Sequence, residues 1–277
     1  MTNKKKIVLV TGASSGLGYA VANHLSHIGH TVYAGARSFH NESSGKNPSL
    51  NKIFLDVTDP DSIDLFVKQA IEAEGRIDVL VNCAAVLVLG SVEDTSPDEY
   101  DKVFKTNFRG TLMMCKAVLP YMRNCGQGHI INFSSIMGLL AIPFQSAYIS
   151  SKFAIEGFTE ALSMETRSYG IKVSMLEPTD HKSGSQKYRP HAEGACSDAS
   201  PYRELFLKVT EKIEYDESHG SDPEKLAEAV GKIIIKKTPR LRYKVGKFDQ
   251  KLSVFLKRIL PGKTFESIIF SYYKDGK

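Results

Sequence analysis

Tyr148 and Lys152 stand four residues apart, and Ser135 precedes the tyrosine by thirteen. On a helix, positions i and i+4 share a face about 5–6 Å apart at Cβ, so the phenol and the ammonium address one site. A phenol with a pKa of about 10 exchanges protons poorly near neutrality. A cation held beside it favours the phenolate and brings it toward the range where acid/base catalysis works. A serine hydroxyl at the same place can hold an oxygen on which charge develops. Ser134 competes with Ser135 for that task, and the thirteen-residue offset favours Ser135.

A second cluster lies at the start of the chain, where Thr11-Gly12-Ala13-Ser14-Ser15-Gly16-Leu17-Gly18 follows the apolar run Lys6-Ile7-Val8-Leu9-Val10. Gly12 permits a tight turn, Gly16 lets a phosphate approach the backbone, and Gly18 lets the next helix pack closely. A helix N-terminus there offers unpaired N–H groups and a positive dipole end to a pyrophosphate. The glycine spacing, G-x-x-x-G-x-G, differs from the G-x-G-x-x-G of long-chain dehydrogenases.

These residues need a scaffold that brings them together. Short β-branched runs at 6–10, 31–36, 52–56, 78–82, 129–133 and 171–176 read as strands buried on both faces. Between them, 16–28, Pro60 to about Ala73, Pro97 toward Met122 and 146–169 read as helices. Such alternation predicts an α/β fold: a single Rossmann-type, doubly wound parallel sheet with helices on both faces. Ligands of such sheets bind beyond the carboxyl ends of the strands, where the glycine loop and Ser135 both fall.

The loop T-G-x-x-x-G-x-G, the stretch Asn82-Cys83-Ala84-Ala85 and Ala147-Tyr148-Ile149-Ser150-Ser151-Lys152-Phe153-Ala154 resemble the short-chain dehydrogenase/reductase family. The resemblance implies a catalytic set of Asn107, Ser135, Tyr148 and Lys152. In it, Asn107 anchors a proton-relay water and Lys152 reaches the nicotinamide ribose. It further implies cofactor contacts from Gly12, Ser14, Ser15, Gly16, Leu17 and Gly18, and from Asp56 and Val57 near the adenine. Asn82, Ala84, Pro178 and Thr179 complete that set with Tyr148 and Lys152. Cys83 and Ala85 depart from the family's N-N-A-G, and Thr179 stands where its members have glycine. The second strand ends in Ala36-Arg37-Ser38 with no carboxylate. Arg37 and Ser38 therefore suit a 2′-phosphate, and the expected cofactor is NADP(H). The expected reaction moves hydride between NADP(H) and a carbonyl or alcohol carbon while Tyr148 moves the proton.

Ile136, Met137, Leu139, Leu140, Ile142, Pro143 and Phe144 make the stretch before Tyr148 apolar, which predicts a lipophilic pocket with Ser135, Ile142 and Tyr148 against the substrate. The stretch 138–160 and the tail resemble the 17β-hydroxysteroid and retinol dehydrogenase branch, which implies a steroid-like or retinoid-like substrate. The rivals are reduction of small or acyl-carrier-linked ketones and a non-catalytic NADP(H) sensor.

The 277 residues, 42% apolar and 24% charged, read as one domain: a cofactor and catalytic core over 1–177, a lid over 178–215 and a helical extension over 240–277. His181 and His191 read as solvated loop residues. Four cysteines without metal or disulfide spacing fit a reducing, cytoplasmic setting, and no metal site is expected. The opening Met1 to Lys6 resembles the basic start of a signal peptide, but the apolar run after it is too short. Net charge is +5, and residues 225–277 hold 14 Lys/Arg against 4 Asp/Glu, leaving the rest acidic. That basic tail has three candidate roles: capping the pocket, meeting a neighbouring subunit in a homo-oligomer, or resting on an anionic membrane. Nothing in the sequence supports nucleic-acid binding.

Overall fold

The computed structural model describes residues 5–39 and 47–275. The first residues of the basic start lie outside them. Seven strands form one parallel sheet: β1 (Ile7–Thr11), β2 (Thr31–Ala36), β3 (Leu50–Phe54), β4 (Val79–Asn82), β5 (Gly128–Phe133), β6 (Ile171–Pro178) and β7 (Arg242–Val245). Their order is β3-β2-β1-β4-β5-β6-β7, so the winding reverses between β1 and β4. A crevice opens at that switch point.

Helices cover both faces. On one, Val21 and Leu25 of α1 (Gly16–His27) and Leu226 and Val230 of α7 (Pro223–Ile234) pack on Val8, Val10, Val32 and Val81. On the other, Ile63 and Phe66 of α2 (Pro60–Glu74), Met114 and Val118 of α4 (Gly110–Asn124) and Leu162 of α5 (Ser146–Thr166) pack on Leu9, Leu80 and Ile130. Local signals set the helix ends. Asp59 caps α2 through the Asp61 amide, Pro60 starts it and left-handed Gly75 stops it. Ser96 and Glu99 form a capping box at the start of α3 (Pro97–Phe104).

A third apolar cluster sits beyond the strand ends, joining Phe206, Val209 and Ile213 of α6 (Arg203–Ser218) to the C-terminal pair. That pair is α8 (Phe248–Ile259) and α9 (Gly262–Lys274), which contribute Val254, Phe265 and Tyr273.

Four differences from the sequence reading have physical reasons. The long helix expected from Pro97 is broken by a π-helical turn, Lys105–Arg109, which carries Asn107. The third strand runs two residues earlier than expected, so Asp56 lies in the turn after it, where its Oδ1 accepts from the amide and hydroxyl of Thr58. The extension read as helical from residue 240 begins as β7; Arg-Tyr-Lys-Val carries too much charge to read as a sheet strand. Part of the segment read as a lid, from Arg203, is a helix anchored in the third cluster.

Candidate active site

Thr11 closes β1 at the switch point, and its Oγ1 accepts from the amides of Cys83 (3.1 Å) and Ala84 (3.0 Å) just after β4. This clamp sets the distance between the two strand ends that straddle the crevice. Above it, Gly12 and Gly16 adopt φ of +67° and +55°. A Cβ on Gly18 would fall 2.3 Å from the Gly12 carbonyl oxygen, so α1 can approach β1 only at a glycine. Ala85, despite replacing glycine, has no positive φ; among the described non-glycine residues only Phe144 does.

A cleft of about 1060 Å³ runs from this loop across the strand ends. Of the residues expected in the site, Gly12, Ser14, Ser15, Gly16, Leu17, Gly18, Arg37, Ser38, Asp56, Val57, Ala84, Ser135, Ile142, Tyr148, Lys152, Pro178 and Thr179 all line it. Asn82 does not. It is buried in the sheet, where its amide donates to Asn132 Oδ1 (2.9 Å) and Cys115 Sγ (3.3 Å), so its work is to tie β4 to β5. Asn107 is also off the cleft and fully buried. Its side chain grips the Val86 backbone in both directions (2.7 and 2.9 Å) and donates to Ser151 Oγ (3.0 Å), beside Lys152.

Ser135 Oγ is hydrogen-bonded to the Tyr148 phenol and accepts from the Met137 amide at 3.1 Å. Ser134 also lines the cleft, but its Oγ lies against the Ser135 carbonyl at 3.5 Å rather than against the phenol. Lys152 Nζ lies 5.4 Å from the Tyr148 ring centre and donates to the Phe133 carbonyl at 2.7 Å. The expectation that the ammonium lowers the tyrosine's pKa is not met here. Burial pushes the phenol up to about 12, with the Ser135 bond opposing, and brings Lys152 down to about 8. Both shifts have one leading cause: removal from solvent favours the neutral forms.

Thr179 has a second function. Its Oγ1 accepts from the Lys247 amide at 2.8 Å, and a Cβ on Gly246 (φ +123°) would lie 1.9 Å from that oxygen. The threonine that replaces the family's glycine therefore fastens the chain after β7 to the end of β6. His181, read as solvated, is buried and its ring bonds the Thr179 carbonyl at 2.7 Å. No group of three or more His, Cys, Asp or Glu among the described residues gathers as a metal site.

Several lining residues carried no sequence signal. Ser183 stands over the glycine loop, its carbonyl 3.4 Å from where a Gly16 Cβ would be. Ser185, Arg189, Glu217 and Tyr273 also line the cleft, delivered by the segment after β6 and by α6 and α9. Their positions depend on tertiary packing alone; only Thr11, inside the glycine motif, was readable from spacing.

Glycine loop, switch-point crevice and a Ser-Tyr-Lys cluster lining that crevice define a dinucleotide-dependent oxidoreductase. Residues 6–194 match the family model described as short chain dehydrogenase. A 3-ketodihydrosphingosine reductase from Bacteroides thetaiotaomicron is 40% identical, with 97% of this chain and 98% of that protein covered. Human retinol dehydrogenase 8 is 32% identical, over 87% and 82%. A crystal structure of a short-chain dehydrogenase from Streptomyces avermitilis superposes with a TM-score of 0.80 at 28% identity, covering 98% of each chain. ElxO with NADP bound gives 0.71 at 25%, covering 87% of this chain and 97% of that one. The chain belongs to the short-chain dehydrogenase/reductase family, and it is an oxidoreductase of carbonyl and alcohol groups.

Proposed function

We propose that this enzyme reduces a lipophilic ketone with NADPH. The carrying observation is that one cleft joins the glycine loop to Ser135, Tyr148 and Lys152 and continues past Met137, Ile142 and Ile213. Arg37 and Ser38 sit exposed at the adenosine end with no carboxylate between them, which favours the 2′-phosphate of NADP(H) over NAD. When bound, the nicotinamide supplies the hydride. Ser135 holds the substrate oxygen, Tyr148 gives it the proton, and Lys152 orients the ribose and stabilises the phenolate left behind. Asn107 acts through its grip on Val86 and Ser151, which holds the lysine's helix in place.

The apolar wall suits the steroid-like or retinoid-like substrate expected from the sequence. The relative at 40% identity is named for a long-chain sphingoid ketone. That ketone is the first compound to test. Wild type should consume NADPH with 3-ketodihydrosphingosine faster than with a short-chain ketone or an acyl-carrier-linked one, and Tyr148→Phe should lower kcat by about 10²–10⁴. Equal rates on the short ketone would favour the small-substrate reading; binding of NADPH without turnover across the panel would favour a sensor.

α8 and α9 bury Val254, Phe265 and Tyr273 in the third apolar cluster yet leave Phe248, Leu252, Phe255, Ile259 and Ile268 in solvent, among Lys247, Lys251 and Arg258. A basic, apolar surface of this kind supports peripheral contact with an anionic membrane, where a lipophilic substrate resides. Among the described residues no helix is long and apolar enough to cross one. Phe153 and Met164 on α5 are also exposed, which supports pairing with a second copy, and four free thiols suit a reducing cytoplasm.

A further inference from the structure

α8 carries two stripes with separate tasks. Phe248, Leu252, Phe255 and Ile259 are exposed, while Lys247, Gln250, Val254 and Lys257, at intervals of three, four and three, contact the body of the protein. The Lys247 amide donates to Thr179 Oγ1 at 2.8 Å. Gln250 binds Asp180 twice: its Oε1 accepts from the Asp180 amide at 2.9 Å, and its Nε2 donates to the carboxylate. Val254 is buried in the third apolar cluster. Lys257 Nζ donates to the Leu139 carbonyl at 2.6 Å.

The two ends of this stripe stand on different parts of the site. Thr179 and Asp180 line the cleft after β6. Leu139 follows a single 3-10 turn, Ile136–Gly138, whose N-cap is Ser135. Ser135 Oγ accepts from the Met137 amide at 3.1 Å, and the Ser135 carbonyl accepts from the Gly138 amide at 2.9 Å. The Ile136 carbonyl accepts from the amides of Leu139 (2.9 Å) and Leu140 (3.0 Å). Carbonyls at the end of such a turn have no donor from within it, and a lysine side chain is well suited to supply one. Lys257 does so from 118 positions away. Its ammonium also lies 5.3 Å from the ring centre of Phe153, the residue after Lys152 on α5. Ten residues of helix separate Lys247 from Lys257, about 15 Å of stiff spacer between the end of β6 and the turn that aims Ser135.

We propose that Lys257 is a positioning residue for the reaction: α8, braced at Thr179 and Asp180, uses it to hold the turn that presents the Ser135 hydroxyl. The C-terminal extension then completes the active site instead of only covering it. This assignment rests on the role given to Ser135 in the reductase reading above.

The test is a double-mutant cycle on kcat with the long-chain ketone. Misplacing a catalytic group by about 1 Å costs up to about 10²-fold, so Lys257→Met should lower kcat by about 3- to 30-fold. The KM for NADPH should not change, because the tie lies away from the glycine loop. Lys257→Arg, which keeps a charged donor, should recover most of the loss. In a Ser135→Ala background, Lys257→Met should change the residual kcat by no more than about twofold, since the group it positions is gone. Amide hydrogen exchange, which needs no turnover, is followed in the same proteins. Exchange at Gly138, Leu139 and Leu140 should rise by about 3- to 10-fold in Lys257→Met, with β5 unaltered. A single-variant kcat within about twofold of wild type, a loss carried undiminished into the Ser135→Ala background, or unaltered exchange at the turn overturns the assignment. If wild type turns over no ketone, it is the reductase reading that fails, and the exchange result alone then decides whether Lys257 holds the turn.

Discussion

Lys152 is held against its own charge. Burial brings its pKa from 10.5 down to about 8 while the Phe133 carbonyl accepts a hydrogen bond from Nζ at 2.7 Å. Between those two values the unfolded chain binds the proton that the folded chain has released. Stability contributed at this position therefore rises with pH through that window and is smallest below it. Relative to a Lys152→Met variant, wild type should gain on the order of 2–3 kcal/mol between pH 7.5 and 10, read from urea unfolding at the two pH values. A constant difference would show the lysine to be solvated. The residues proposed to react were legible as a cluster in the sequence because their geometry is local: Tyr148 and Lys152 share one helix, and the glycines share one turn. Arg189, Glu217 and the grip of Asn107 were not, because each depends on a segment more than twenty residues away. The tyrosine's raised pKa was equally hidden, since spacing says nothing of how far a group is removed from solvent.

Along α5 the positions Tyr148, Lys152, Glu156 and Glu160 follow at intervals of four and form one stripe. The first two reach the cleft, and the last two meet Arg242 of β7, which also binds Glu177 of β6 at 2.8 Å. Glu177 is fully buried and Glu156 nearly so. Arg242 thus bridges two buried carboxylates, with Lys244 of β7 sharing Glu177 at 3.4 Å, and sets the azimuth of the helix that carries Tyr148 and Lys152. Arg242→Met should cost about 3–5 kcal/mol, because it strands buried charge. Burial already holds the Glu156 carboxyl above its ordinary value with Arg242 opposing, and losing the arginine removes that opposition, so the deficit should shrink as pH falls toward 5. Urea unfolding across pH 5–8 measures both effects. The alternation of strands and helices that places these elements was readable from periodicity, up to β6. β7 escaped because its four residues are half-buried and two are basic, so neither an apolar run nor alternation marks it.

At the scale of the molecule, charge and apolar surface are segregated onto the C-terminal pair. α9 reaches the cleft through Tyr273, and the outer face of α8 offers Phe248, Phe255 and Ile259 with a basic rim. Co-sedimentation with vesicles containing phosphatidylserine should retain the protein at low salt and release it near 0.5 M salt, because the electrostatic share of binding is screened. Vesicles of phosphatidylcholine alone should retain far less, and Phe248→Ser/Phe255→Ser should weaken retention without altering the fold. Equal retention on both vesicle types would remove the electrostatic part of the reading. One outcome of the architecture concerns synthesis. β6 lies between β5 and β7, and Arg242 stands 86 positions after Glu156. A nascent chain emerging from the ribosome has Ser135, Tyr148 and Lys152 long before it has the counter-ion that seats their helix. A product truncated ahead of residue 242 would carry an open β6 edge and two orphaned carboxylates, a species for chaperones and proteases rather than a slow enzyme.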